Sequence, residues 1–392
     1  MRPRTRLGTA RARVAALLLA VATPAMAAAQ GSLGVQGFGY PPGQLSTRSL
    51  SAGGATGEMD PLAPLNPAAL LNLGTTTLYF QAEPEYRRVT IGDRQSSTSI
   101  SRFPLVTGGL ALGSRWAAGV AVSTLADRTW ETTIEAVESI GSDTARATSV
   151  YRSEGAINDA RVGVAYAPRE WLHLGLGFHA VSGRNRIFVS RDFVSADFAD
   201  FADTSTISYG GTALSAGIEA RMGRVAAAAL SYRKGGRLSA ESSRGDSVIG
   251  RGDVPDRLGV SVAYLGIARS TIAVRASQEK WSQLRGLGSS AFQARDTWDY
   301  SAGGDIAGPR FGPRVIMLRV GGRWRELPFS VVGADGVAGP TVEERSISGG
   351  LGTLLAGGRA SFDLGVIRAS RTADIAVSER SWILSVGLTV RP

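Results

Sequence analysis

The chain has no cysteine, which excludes disulfides, thiolate chemistry, cysteine-bound metal and a lipid attached through sulfur. Histidine is nearly as scarce, with only His173 and His179. Neither an H-E-x-x-H zinc pair nor a phosphate-binding P-loop occurs. A Ser/His/Asp arrangement would need partners from segments that sequence cannot bring together. No enzymatic activity, metal or cofactor is therefore expected. The body of the chain also lacks any run of about 18 apolar residues, so no membrane-spanning helix is expected. Lysine is confined to Lys234 and Lys280, and every other base is arginine. The net charge of +10 includes five arginines near the start (Arg2, Arg4, Arg6, Arg11, Arg13), which leaves about +5 for the remainder. That excess is too small to argue for a nucleic-acid partner.

Those arginines precede an apolar stretch from Val14 to Val21 and a small-residue run ending "AMAAA". The pattern is that of a secretory signal peptide over residues 1–29, which delivers the chain to a non-cytoplasmic compartment.

From residue 75 onward the dominant signal is period-two alternation. In "EWLHLGLGFHAV", Leu172, Leu174, Leu176 and Phe178 share one face, while His173, Gly175, Gly177 and His179 share the other. The preceding "ARVGVAYAP" alternates in the same way, and Pro168–Glu170 makes a short link between them. Similar pairs are read across Gly113–Arg115, near Gly223, across Gly266–Arg269, near Glu326 and at Gly357–Gly358. One strand precedes the series and "SWILSVGLTV" follows it. Six hairpins and two further strands give about 14. Longer polar connections are expected at 127–155, 184–208, 234–256, 280–313, 330–344 and 369–380.

One face of these strands is apolar, and the other carries Gly, Ala and Ser with isolated charges: Arg161, Glu219, Arg275, Arg319, Arg323 and Asp363. A soluble sandwich would place a broadly polar face in water. Here the pattern suits a closed transmembrane barrel with a lipid-facing exterior and a small-residue lumen, since a bilayer tolerates no unpaired strand edge. Trp116, Tyr166, Trp171, Tyr232, Tyr264, Trp281, Trp324 and Trp382 are expected to form interfacial girdles. The fold class is all-β: a transmembrane antiparallel β-barrel of about 14 strands in a bacterial outer membrane, over residues 75–392.

The segment between leader and first strand, residues 30–74, contains "PLAPLNPAAL". Asn66–Pro67 starts a turn, and Pro67 at the first helical position lets Ala68, Ala69 and Leu70 follow as a short helical turn. Gly53–Gly54 permits close backbone approach. Its leucines argue against exposure, and the segment is expected to fill the barrel as a hatch, with Leu65 and Leu70 facing the lumen.

"SLSAGGATGEMDPLAPLNPAAL", "GVAYAPREWLHLGLGF", "DVPDRLGVSVAYLGIARSTIAVRASQEKWSQL" and "LRVGGRWRELPF" together resemble the FadL-type family of outer-membrane transporters and its PorV-type relatives. The resemblance implies a hatch signature at Gly53, Gly54, Asn66, Pro67, Ala68 and Leu70. It also implies passive import of long-chain fatty acids or aromatic hydrocarbons through a plugged barrel. The alternative it offers is a PorV-type scaffold for a secretion machinery. Candidate lumenal ligand contacts are Leu65, Arg161, His173, His179, Arg319 and Arg323, the arginines as partners for a carboxylate. The partners expected are a hydrophobic small molecule, outer-membrane lipid and lipopolysaccharide, and the barrel-assembly machinery. The barrel itself is expected to be a monomer.

Overall fold

The computed structural model describes residues 37–92, 94–140, 143–244, 247–288, 293–311, 314–332, 338–374 and 377–392. The leader reading over 1–29 lies outside them. The strands are β1 (Thr77–Ile91), β2 (Arg94–Leu112), β3 (Trp116–Asp127), β4 (Trp130–Ile140), β5 (Asp143–Arg169), β6 (Leu172–Phe193), β7 (Phe201–Met222) and β8 (Ala226–Ser242). They continue as β9 (Ser247–Asp253), β10 (Arg257–Tyr264), β11 (Ser270–Glu279), β12 (Thr297–Phe311), β13 (Arg314–Val332), β14 (Ala338–Leu355), β15 (Ala360–Asp374) and β16 (Val377–Val390).

All belong to one antiparallel sheet that closes on itself as a 14-strand barrel. β4 continues β3 along β5, and β9 and β10 share β8 as partner, so four short strands fill two positions of the ring. Closure is made by β16 against β1, from Leu78↔Val390 to Ile91↔Val377. Both β1 and β16 meet the short turns at one end, called proximal here, and the opposite end is distal.

Alternation decides which face each strand shows. On β6, Leu174, Leu176 and Phe178 are exposed and His173 and His179 are buried. On β10, Leu258, Val260, Val262 and Tyr264 point out. Toward the proximal end and the middle of the strands the large outward side chains are Leu, Val, Ile and aromatic, which is a hydrocarbon-facing surface.

Three sequence expectations are corrected. β13 runs unbroken through Glu326, where a turn was expected; Pro328 produces a register irregularity between Glu326 and Ser330, and Leu327 and Phe329 are buried there. Its hairpin partner is β12, which occupies part of the stretch read as loop 280–313. Most of the other polar connections are strand too: β4, the start of β5 and β9 extend the distal rim, where the regular apolar alternation is lost. Trp281 does not join a girdle; it is 1% exposed in a 3-10 turn over Trp281–Leu287, packed inward.

The wall is split on one side. Between β2 and β3 pairing stops at Leu105↔Ser123. Distal to that point, among the described residues, β2 pairs with no strand but β1, and β3 and β4 with no strand but β5; the remaining edge of β3 carries a single bridge, Asp127 to Tyr40. Pro104, which cannot donate to a neighbour, stands where the pairing stops.

Candidate functional site

Residues 37–74 run through the lumen, from Phe38 near the distal end to Leu73 near the proximal one. α1 (Thr47–Ser51) is capped by Ser46, whose Oγ accepts from Ser49 N at 3.2 Å. Pro67–Leu73 forms a 3-10 turn capped by Asn66, whose Oδ1 accepts from Ala68 N at 3.0 Å. Leu70 is 1% exposed and packs on Ala117 and Ala165 of the wall, not on open lumen; Leu65 packs on Leu45 and Ala63 within the segment.

Glycines on the inward face let this backbone approach. A Cβ at Gly175 would overlap Ala68 N and Pro67 C, and one at Gly321 would overlap the Ala52 backbone. Gly53 (φ 70°) and Gly54 (φ 90°) adopt the left-handed conformation at the tight turn that follows α1, where Gly53 N donates to Ser348 Oγ at 3.0 Å.

Polar ties fix the segment at three levels. Proximally, fully buried Glu58 pairs with Arg257 and Arg275, and accepts from Ser231 Oγ at 2.6 Å. Burial alone would raise its pKa, but the two guanidiniums outweigh that and hold Glu58 at about 2. At mid-height Gln44 Nε2 donates to Ser123 Oγ (2.7 Å) and Asp159 Oδ2 (3.1 Å). Distally Tyr40 exchanges both backbone hydrogen bonds with Asp127 (2.8 Å each), at the edge where β3 leaves β2. Its ring lies against the guanidiniums of Arg87, Arg102, Arg325 and Arg371, at 4.5–5.4 Å from the centroid. The Tyr40 hydroxyl donates to Glu344 at 3.0 Å.

Above these ties is an apolar cluster: Phe38, Leu125, Tyr209, Leu238, Trp281 and Phe329 with smaller neighbours. Phe38 sits in its midst, edge-on to Tyr209 at 5.7 Å and 6.5 Å from Phe329. Arg128, in the break between β3 and β4, lies 4.6 Å over the Phe38 ring and 5.3 Å over Tyr209. It is 6% exposed, its Nε and Nη1 lack hydrogen-bond partners, and among the described residues no carboxylate pairs with it. A guanidinium held this way carries a strong preference for an anion.

The residues singled out in the sequence are not gathered into one pocket. Arg319 is taken by Asp363 (2.6 Å) and Arg323 by Asp299 (2.8 Å twice), so both brace the wall. His179 donates from Nδ1 to Asp159 at 2.8 Å, and its Nε2 accepts from Ser215 Oγ at 2.9 Å. His173 lies proximally with Nδ1 unpartnered, and Arg161 is buried with Nε and Nη1 unpartnered. Sequence reasoning missed Phe38, Tyr40, Glu58 and Arg128. The one available signal was "GFGY", two aromatics in a stretch otherwise small and polar.

The molecule is thus a transmembrane-type β-barrel whose lumen holds its own N-terminal segment below an apolar cluster. Its fold is that of the FadL-type channels. A Pseudomonas aeruginosa FadL homologue superposes with a TM-score of 0.63 at 13% identity, covering 90% of this chain and 99% of that one. The Ralstonia pickettii toluene transporter TbuX gives 0.56 at 12% identity, covering 92% and 100%. The Pseudomonas putida toluene transporter TodX gives 0.56 at 12%, covering 90% and 98%. No family model matches the chain, and no curated protein matches it.

Proposed function

We propose that this protein is an outer-membrane channel for passive uptake of hydrophobic small molecules, with long-chain fatty acids favoured over neutral hydrocarbons. Its distal end faces the exterior and its proximal end the periplasm. The observation that carries the reading is the apolar cluster, closed over Phe38 and bordered by the split between β2 and β3. An apolar ligand entering from the distal end takes the place of Phe38 among Tyr209, Trp281 and Phe329. It then leaves sideways through the split once Tyr40 releases Asp127. Residues 46–73 close the straight path to the periplasm. The structures it resembles, described as a FadL homologue and toluene transporters, support a channel over a secretion scaffold.

The acid preference rests on Arg128. Its unpartnered nitrogens border the cluster, where a ligand carboxylate would complete them. Arg128→Ala is expected to weaken binding of a long-chain carboxylate by about 10–100-fold, since a hydrogen bond to a charged group contributes about 1.5–3 kcal/mol. Binding of the matching alcohol should change little. Equilibrium binding of both ligands to purified protein tests this. Saturable binding of neither ligand to the wild type would overturn the function; equal losses for both would remove the role of Arg128.

A further inference from the structure

On the outer surface near the distal rim, four neighbouring strands carry arginines side by side. Arg88 on β1 is the direct cross-strand partner of Arg380 on β16. Arg380 faces Ser370 on β15, which in turn faces Arg345 on β14. Two residues nearer the membrane centre, Tyr86, Trp382 and Arg368 form the next row. Arg88, Arg380 and Arg345 are exposed, and Arg368 lies 4.7 Å over the Trp382 ring. Like charges directly opposite on a sheet are destabilising, so the Arg88/Arg380 pair costs stability as it stands. Among the described residues, none of Arg88, Arg368 and Arg380 has a carboxylate partner; only Arg345 does, with Glu343 at 3.0 Å. The inward-facing neighbours on the same strands, Arg87, Arg371 and Glu379, are by contrast fully buried and tied to carboxylates or guanidiniums in the lumen.

Below the aromatic row the same strands present only hydrocarbon-facing side chains: Leu384 and Val366, then Phe80 and Leu388. The patch therefore has a definite order from rim to centre, with cations first, then aromatic rings, then an apolar wall. That order matches a lipid with anionic groups at its head and acyl chains beneath. Guanidiniums suit phosphate in particular, because their fork meets two oxygens at once.

We infer that Arg88, Arg368 and Arg380, with Arg345 at the edge, form a binding site for a phosphate-bearing lipid of the exterior-facing leaflet. The lipid phosphates take the counter-ion role that no side chain fills, and its acyl chains lie along Leu384, Val366 and Leu388. The inference rests on the outer-membrane location proposed above but not on what the lumen carries.

The test uses the full-length folded protein in detergent. The probe is a diphosphorylated, acylated glucosamine-disaccharide lipid, compared with the same lipid after dephosphorylation, and bound lipid is read by native mass spectrometry. The wild type should retain the phosphorylated lipid and not the dephosphorylated one. The triple variant Arg88→Ser, Arg368→Ser, Arg380→Ser should bind about a hundredfold more weakly, at about 1 kcal/mol per arginine near a membrane surface. A control with the same charge change at the proximal rim, Arg224→Ser, Arg269→Ser, Arg359→Ser, should bind like wild type. Should the triple variant fail to show the heat-modifiable migration of a folded barrel, the single variant Arg380→Ser serves, because it relieves the Arg88 repulsion. Undiminished binding in the arginine variants, an equal loss in the control, or equal retention of the dephosphorylated lipid overturns the inference. So does inorganic phosphate competing as tightly as the lipid, which would make this a free-anion site. Fatty-acid binding measured on the same samples separates a failure here from a failure of the transport reading.

Discussion

Replacing Glu58 by alanine is expected to free residues 46–73 from the barrel wall while leaving the barrel closed. Glu58 is 0% exposed and is the shared carboxylate of Arg257 and Arg275. Its removal leaves two buried guanidiniums short of a partner, although Arg275 keeps Asp299 at 2.8 Å and Arg257 keeps Glu279 at 3.4 Å. Breaking a buried pair from one side costs about 3–5 kcal/mol. The strands themselves keep every ladder bond, so the cost falls on the docking of the inner segment. Arg48 is the only tryptic site between residues 37 and 74, which makes the effect easy to read. With opening fast relative to cleavage, a loss of about 3 kcal/mol should speed cutting at Arg48 by about a hundredfold. The same tie should respond to acid. Its folded pKa of about 2 lies below the ordinary 4.5, so its contribution is complete above about pH 4.5 and is lost as pH falls toward about 2. Cleavage by an acid-stable protease at pH 5 should match that at pH 7.

The second large effect is expected from a single added side chain. At Gly175 a Cβ would overlap the backbone of Pro67 and Ala68, and backbone cannot swing aside as a flexible side chain can. Overpacking typically costs about 1–3 kcal/mol where neighbours give way. With the 3-10 turn pinned by its Asn66 cap and by Gly217 on the next strand, Gly175→Val should reach or exceed about 3 kcal/mol by the same mechanism. Gly210→Val is the control, because nothing lies within 4 Å of a Cβ there. Thermal unfolding and trypsin cleavage at Arg48 should both separate the two variants; identical behaviour would mean that the turn does not sit against β6.

The barrel was legible in the sequence because alternation is local. β5, β6, β7, β8, β10 and β11 each show an apolar face every second residue, and the structure places those faces outward. The count of 14 came out correctly despite one misplaced hairpin. β12 hid within an expected loop because its inward positions include Gly303, where a Cβ would overlap Ala52 O. The close fit of the inner segment thus removed the side chains that would have marked the strand. The Asn66–Pro67 turn was legible because its chemistry is contained in four residues. The lumenal network was not, since Glu58 finds Arg257 and Arg275 about 200 positions away, and Phe38 finds Trp281 and Phe329 farther still. Inward arginines could be listed from the sequence, but which were taken by Asp299 or Asp363 and which, like Arg161, kept unpartnered nitrogens depends on register across strands.

On the proposed route, an apolar ligand leaves through the split between β2 and β3 when Tyr40 parts from Asp127. The absence of cysteine makes it directly testable. Tyr40 and Asp127 face each other as a hydrogen-bonded antiparallel pair, a spacing of about 5.5 Å between Cα atoms that a disulfide spans. The measurement is uptake of radiolabelled long-chain fatty acid by cells whose only such channel is the Tyr40→Cys, Asp127→Cys variant, before and after reduction. Uptake should stay at background while the bridge is oxidised and be restored once it is reduced. Equal uptake in both states would show that the ligand takes another path.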